Sequence, residues 1–358
     1  QLLSLQATSL AAGAQVSAGD SVQIDAGGVA MGAGSQLSAG RVVAVRSSAD
    51  IRVGEVAVTG NTATGSVMLQ ADGRIDSNGD AAVNIGGGGN VLASLQAGDG
   101  IGSDTQAITV DVGQLALARS DRGDIHLRLP NGGVVGDVVA ASGAVSLHSD
   151  AHLQADLLDA ATDLQLETAS ADIGRLDAGA DAVVNSAGAL AVALGRVGGD
   201  AQLHSAGAMR IGELQAQGAL NAAAGAALVA QTLSSGSAMQ LDASDALEVQ
   251  QLRSAGDLAA AAGGLLGIGD LVADGDARLE GAADVRLAQG VVGQSLDVAA
   301  AGTLDVRAAK VGGDFIANAG GLLAIDNAAV GGQASIDGGT DMQLGDATVA
   351  QSLVLNAG

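Results

Sequence analysis

Leu220-Asn221-Ala222-Ala223-Ala224 and Leu228-Val229-Ala230 are answered nineteen residues later by Met239-Gln240-Leu241-Asp242-Ala243 and Leu247-Glu248-Val249. Stepping by nineteen from Leu220 gives Met239, Leu258, Ala277, Leu296, Phe315, Ala334 and Leu353, and every stop is apolar. The track two residues on, from Ala222 through Leu241, Ala260, Leu279, Val298, Ala317 and Ile336 to Leu355, is apolar as well. A second pair of tracks runs from Met209 to Met342 and from Ile211 to Leu344. Self-similarity at a fixed short period marks a stacked repeat, in which each unit buries its apolar face only against its neighbours.

Apolar residues two apart point to one side of an extended strand. Each repeat therefore offers two short strands, such as Leu220/Ala222 and Leu228/Ala230. A third inward point lies at Leu214, Leu233, Leu252 and Leu271, then at Val311, Val330 and Val349 after a one-residue slip expected near Gly290. Between the strands stand Gly218, Gly225, Gly256, Gly263 and Gly275, where glycine is expected to supply unusual backbone angles. Gly-Asp recurs before the first strand at Gly199-Asp200, Gly256-Asp257, Gly275-Asp276 and Gly313-Asp314, with each aspartate expected to bond its own turn. Three short strands and three corners make one coil of a parallel β-helix.

Helical repeats fit poorly, although alanine and leucine favour helix. The apolar period is two, the glycines are too frequent, and nineteen residues are too few for a helical pair. A left-handed β-helix would use a hexapeptide period, of which nineteen is no multiple. The expected fold is all-β: a right-handed parallel β-helix, in line with the handedness of parallel crossovers. Leu220 with Ala222, Ala277 with Leu279, Phe315 with Ala317 and Ala334 with Ile336 trade size, as a narrow, closely packed tube requires. One phenylalanine and no tyrosine or tryptophan suit a slender core better than a thick globular one.

Residues 1–140 keep the texture at looser spacing, with strand pairs such as Val22/Ile24, Val67/Leu69 and Ile108/Val110. Interruptions at Gly86-Gly87-Gly88-Gly89 and Gly98-Asp99-Gly100 predict longer corners. Residues 141–358 carry the regular coils. No linker of distinct composition divides the two parts, so one continuous rod is expected. At ~4.8 Å per coil, roughly 18 coils give about 85–90 Å. Gln1 begins directly in strand-like sequence, and Leu353/Leu355 run into Asn356-Ala357-Gly358 without a polar cap. A stable solenoid needs such caps, so the chain reads as a fragment of a longer fibre.

The formal charge of −24 joins 39 acidic to 15 basic residues, and Lys310 is the only lysine. That balance disfavours nucleic acid and anionic membrane, which need basic footprints. It keeps neighbouring molecules apart in solution, and calcium or polycation binding is its other reading. No segment is apolar enough to span a bilayer, so no membrane insertion is expected. Absence of cysteine removes disulfides and zinc-thiolate sites. No cofactor is implied.

The stretch Gly98-Asp99-Gly100-Ile101-Gly102-Ser103, with Gln106-Ala107-Ile108-Thr109-Val110, Gly113-Gln114-Leu115-Ala116-Leu117 and Gly123-Asp124-Ile125-His126-Leu127, resembles a phrase of filamentous-haemagglutinin-type exoproteins. The texture of the whole chain is similar to the shafts of that family, which are right-handed β-helices secreted through an outer-membrane partner. The resemblance implies export through such a partner to the bacterial cell surface. It also implies adhesion, crosslinking of exopolysaccharide in a biofilm matrix, or display of a tip to a host or neighbouring cell. The amino-terminal secretion domain of such proteins is not found in this stretch.

Arg122-Gly123-Asp124 spells the tripeptide that integrins recognise on a displayed loop. The plainer reading is an ordinary corner, because Gly-Asp opens strands elsewhere and Ile125/Leu127 follow as a strand. His148, Asp150 and His152 alternate and are expected to face outward together, as a metal site or as an ordinary solvent face. His204 falls in the column of His148 about three coils away, roughly 14 Å, too far to share an ion. No metal site is assigned. Thr162, Thr232, Thr303 and Thr348 form no regular column.

Three functions, of two classes, follow. A structural shaft, giving reach and display to a secreted adhesin, fits best; the stalk of a contact-dependent toxin-delivery protein has the same physics. A polysaccharide-acting β-helix enzyme would want aromatic platforms and paired carboxylates in a cleft. With neither evident, no catalytic residue is assigned.

Overall fold

The computed structural model describes residues 2–5, 9–60 and 64–357; the expectations for Gln1 and Gly358 fall outside them. Every regular element among the described residues is a strand, and each strand pairs in parallel with a strand one coil on. The fold is a parallel β-helix of about 19-residue coils. Two compact units divide between Asn185 and Ser186.

In the second unit one coil is a five-residue strand, as at Leu220–Ala224, and an eight-residue strand, as at Leu228–Ser235. Leu220 pairs with Met239, Met239 with Leu258, and the column continues through Ala277, Leu296, Phe315 and Ala334 to Leu353. From Leu220 to Ala334 each of these residues is at most 2% exposed. Burying a leucine this completely contributes about 1.5–3 kcal/mol. The period of nineteen is thus the circumference of one coil.

The eight-residue strand holds both the second and third sides. Its inward alternation breaks once, and the ladder passes from Ala230↔Val249 to Thr232↔Gln251, leaving Gln231 and Gln250 without register partners. That skipped position is the corner between the two sides. The coil is three-sided as expected, with two sides running through one strand.

No slip occurs near Gly290. Leu271 pairs with Gly290 and Gly290 with Ala309, while Ala273 pairs with Val292 and Val292 with Val311. The third side has two inward columns, and the bulky residue passes from one column to the other. Leu271 beside Ala273 becomes Gly290 beside Val292. Leu287 reaches into the space released, so that a Cβ on Gly290 would lie 3.0 Å from Leu287 Cδ2.

The first unit begins with three separate strands per coil. Gly65–Ala71, Arg74–Ser77 and Ile85–Gly87 form one coil, and Val91–Ala97, Gly100–Ile101 and Ile108–Asp111 the next. Excursions between strands lengthen these coils, so the partner of Ile75 on the next coil is Ile101 and that of Ile85 is Val110. The pattern changes at Gln114–Ser120. There the ladder is irregular between Ala93 and Ser94, because Ala116 has no opposite number. An extra residue opposite an uninterrupted strand is a β-bulge. Every later coil of the unit copies it: the register skips Gly136, then Asp156 and Gly174. Meanwhile Ile101 and Ile108, on separate strands, both pair with Ile125–Leu129, so two sides merge. The coil shortens, and Val145 pairs with Leu164.

The corner glycines serve close approach rather than unusual torsions. Among the described residues positive φ occurs at seven glycines between Gly13 and Gly133, and not at Gly218, Gly225, Gly256, Gly263 or Gly275. Stacked corners bring backbone against backbone instead. A Cβ on Gly236 would lie 2.1 Å from Gln217 O of the preceding coil.

Candidate functional site

Each corner leaves backbone groups that the strand ladders do not use, and buried or crowded ones must find partners. The aspartates of the Gly-Asp corners supply them, but to the next coil rather than to their own turn. Asp200 Oδ1 accepts from Ala219 N–H at 2.7 Å, and Asp257 Oδ1 from Asp276 N–H at 2.9 Å. Asp276 Oδ1 in turn accepts from Ser295 N–H, and Asp314 Oδ1 from Gln333 N–H, both at 2.8 Å. The reason is geometric: the amide just before each first strand points down the stack, where the carboxylate of the preceding coil stands. Buried serines make the complementary bond. Ser254 Oγ donates to Ser237 O at 2.8 Å and to Asp257 O at 3.1 Å, joining two coils.

Arg122-Gly123-Asp124 is one such corner. Arg122 Nε donates to Asp99 Oδ1 of the preceding coil at 2.7 Å, and Asp124 Oδ1 accepts from Ala144 N–H of the following coil at 2.8 Å. A Cβ on Gly123 would lie 1.9 Å from Asp99 O. Arg122 and Asp124 are exposed, yet each is bonded to a neighbouring coil.

His148 and His152 have separate surroundings. His148 Nε2 meets Asp150 Oδ1 at 2.8 Å and its Nδ1 meets Glu167 Oε2 at 3.1 Å. Arg128 donates to Asp150 Oδ2 at 2.9 Å; this guanidinium first, then His148, holds the Asp150 carboxyl below the ordinary range. His152 lies beyond a register irregularity that follows Ser149, and its Nδ1 meets Ser170 Oγ at 2.9 Å. All three side chains face outward as expected, but His148 and Asp150 are joined to each other while His152 has its own partner beyond the irregularity. His204 is exposed and pairs in register with Ala223. Among the described residues no group of three histidine, aspartate or glutamate side chains is arranged to hold a metal.

Two features escaped the sequence reading. His126 is buried beneath the excursion that leaves the stack after Ile101, and its Nδ1 stands 3.2 Å from Asp104 Oδ1 on that excursion. Outward position in a strand gave no sign of the cover. Arginines also pair with acids two residues along the same strand: Arg74 with Asp76, Arg119 with Asp121, Arg175 with Asp177 and Arg278 with Glu280. That spacing, one residue apart on a strand face, was visible in the sequence. The arrangement offers cohesion between coils and, at these arginines, paired charges on an otherwise acidic surface. Comparison with protein-family models, with curated proteins and with solved structures finds no match to this chain.

Proposed function

We propose that the chain is a stretch of the shaft of a secreted bacterial surface adhesin of the filamentous-haemagglutinin type. It is a stiff spacer that holds binding regions away from the cell in cell–cell, cell–matrix or host attachment. The observation that carries the reading is the unbroken register of Leu220, Met239, Leu258, Ala277, Leu296, Phe315 and Ala334. Backbone ladders run along the stack in that register, and Asp257 and Asp276 fasten successive corners. Such a stack resists bending because every coil is bonded to the next on all sides. Its acidic surface supports spacing from like neighbours. The phrase at residues 98–127 supports export through an outer-membrane secretion partner.

The test is made in the bacterium that carries the protein. Excision of residues 220–295, which are whole coils, joins Ala219 to Leu296 in phase and shortens the shaft. Secretion should persist while attachment under flow falls. Attachment that is indifferent to this excision and to further in-phase excisions would refute the spacer role.

A further inference from the structure

One groove of the second unit runs across the strands instead of along them. Its floor follows a single outward column, Asn221, Gln240, Ala259, Arg278, Asp297 and Ile316, in which each residue is the register partner of the next. The column crosses six coils, roughly 24 Å at ~4.8 Å per step. The groove holds about 580 Å³, and one wall is the corner column that contains Asp257 and Asp276.

Its chemistry is mixed in a specific way. Ala259 and Ile316 are apolar, and Ile316 is 40% exposed. Asp257, Asp276 and Asp297 bring three carboxylates against one basic group, Arg278, whose Nε is already bonded to Glu280 at 2.7 Å. Asp257 and Asp276 stand one coil apart, joined by the bond from Asp276 N–H to Asp257 Oδ1. An occupant that complements this groove is long, thin and aliphatic, with positive charges repeating near the coil spacing.

We propose that the groove binds a linear aliphatic polyamine lying along the stack. Ammonium groups rest on the carboxylates of Asp257, Asp276 and Asp297 on three successive coils, and the methylene segments between them cross the floor from Ala259. Ammonium groups joined by three carbons stand about 5 Å apart when extended, by ordinary bond lengths, close to the ~4.8 Å between coils. Charge attraction at this depth is screened by salt, so binding weakens as ionic strength rises.

The probe is a triamine with two three-carbon spacers, titrated at low ionic strength into the full isotope-labelled chain. Amide shifts should concentrate at Ala238, Ala259, Arg278, Asp297 and Ile316. The combined variant Asp257→Asn, Asp276→Asn, Asp297→Asn should weaken binding by about tenfold, the loss of three modest surface ion pairs. Asparagine keeps an Oδ1 acceptor for the corner amides, so the coils stay fastened. Asp305→Asn, Asp326→Asn, Asp346→Asn changes the charge equally outside the groove and should leave those shifts intact. Shifts spread evenly over the acidic surface, equal weakening in both variants, or no binding of the triamine would overturn the proposal.

Discussion

Asp159 and Asp177 are register partners on adjacent strands, and Asp177 Oδ1 is buried without accepting a hydrogen bond. Arg175 Nε takes the other oxygen of Asp177, at 2.5 Å. Burial first, then the charge of Asp177, raises the Asp159 carboxyl above the ordinary 3.8. A raised carboxyl favours folding in its protonated form. Its contribution is present below 3.8 and is lost as pH rises through the higher folded value. Asp159→Asn should therefore raise the melting midpoint at pH 7 by about 1–2 °C. The gain should vanish in melts recorded below 3.8.

Asp150 has the opposite sign. Arg128 and His148 lower its carboxyl, so its contribution is present above 3.8 and lost as pH falls through the lowered folded value. Asp150→Asn should destabilise near neutrality and approach the parent chain in strong acid. Paired melts across the acid range check this.

The corner aspartates make a prediction about single amides. Asp276→Ala removes the acceptor of Ser295 N–H, whereas Asp276→Asn retains one. Hydrogen exchange at Ser295 should quicken in the alanine variant and stay close to the parent rate in the asparagine variant. Equal exchange in all three chains would show that the carboxylate does not hold the corner.

Size trading in the core can be tested by exchange within one coil. Leu279 is fully buried beside Ala277, which is 2% exposed. Leu279→Ala should cost about 2–5 kcal/mol in denaturant unfolding. Adding Ala277→Leu should recover about half of that loss, because the coil again holds one large side chain. A double variant no more stable than the single one would mean that the two columns are not interchangeable.

Arg122-Gly123-Asp124 separates adhesion from architecture. If the tripeptide engages integrins, Asp124→Glu should abolish attachment of integrin-bearing cells while circular dichroism stays unchanged. Asp124→Asn keeps the acceptor for Ala144 N–H and serves as the folding control. Unchanged attachment with Asp124→Glu removes the tripeptide as a cell-binding motif.

The stacking of Leu220, Met239 and Leu258 was legible because side chains that share a column must all be apolar, and the period repeats that demand. Smaller decisions were not. Ala116 is one alanine among many, and nothing in its side chain marks it as the residue left out of the ladder. Gly290 reads as a slip along the inward column of Leu271, whereas Val292 belongs to a second inward column with Ala273. Asp257 could be placed at a corner from sequence, but the partner of its carboxylate lies one coil away. That partner exists only once the coil has closed. The cover over His126 was hidden for the same reason, since Asp104 approaches it by an excursion whose path the local sequence does not fix.

The skipped residue at Ala116, copied at Gly136, Asp156 and Gly174, also limits how this kind of protein can change length. A segment lacking it cannot be spliced among segments that have it without throwing the succeeding side chains onto the wrong face. Duplication or loss is harmless only in complete turns taken from the same stretch. Genes for such proteins are therefore expected to grow and shrink by recombination in whole-turn steps, with reach altered and surface chemistry preserved.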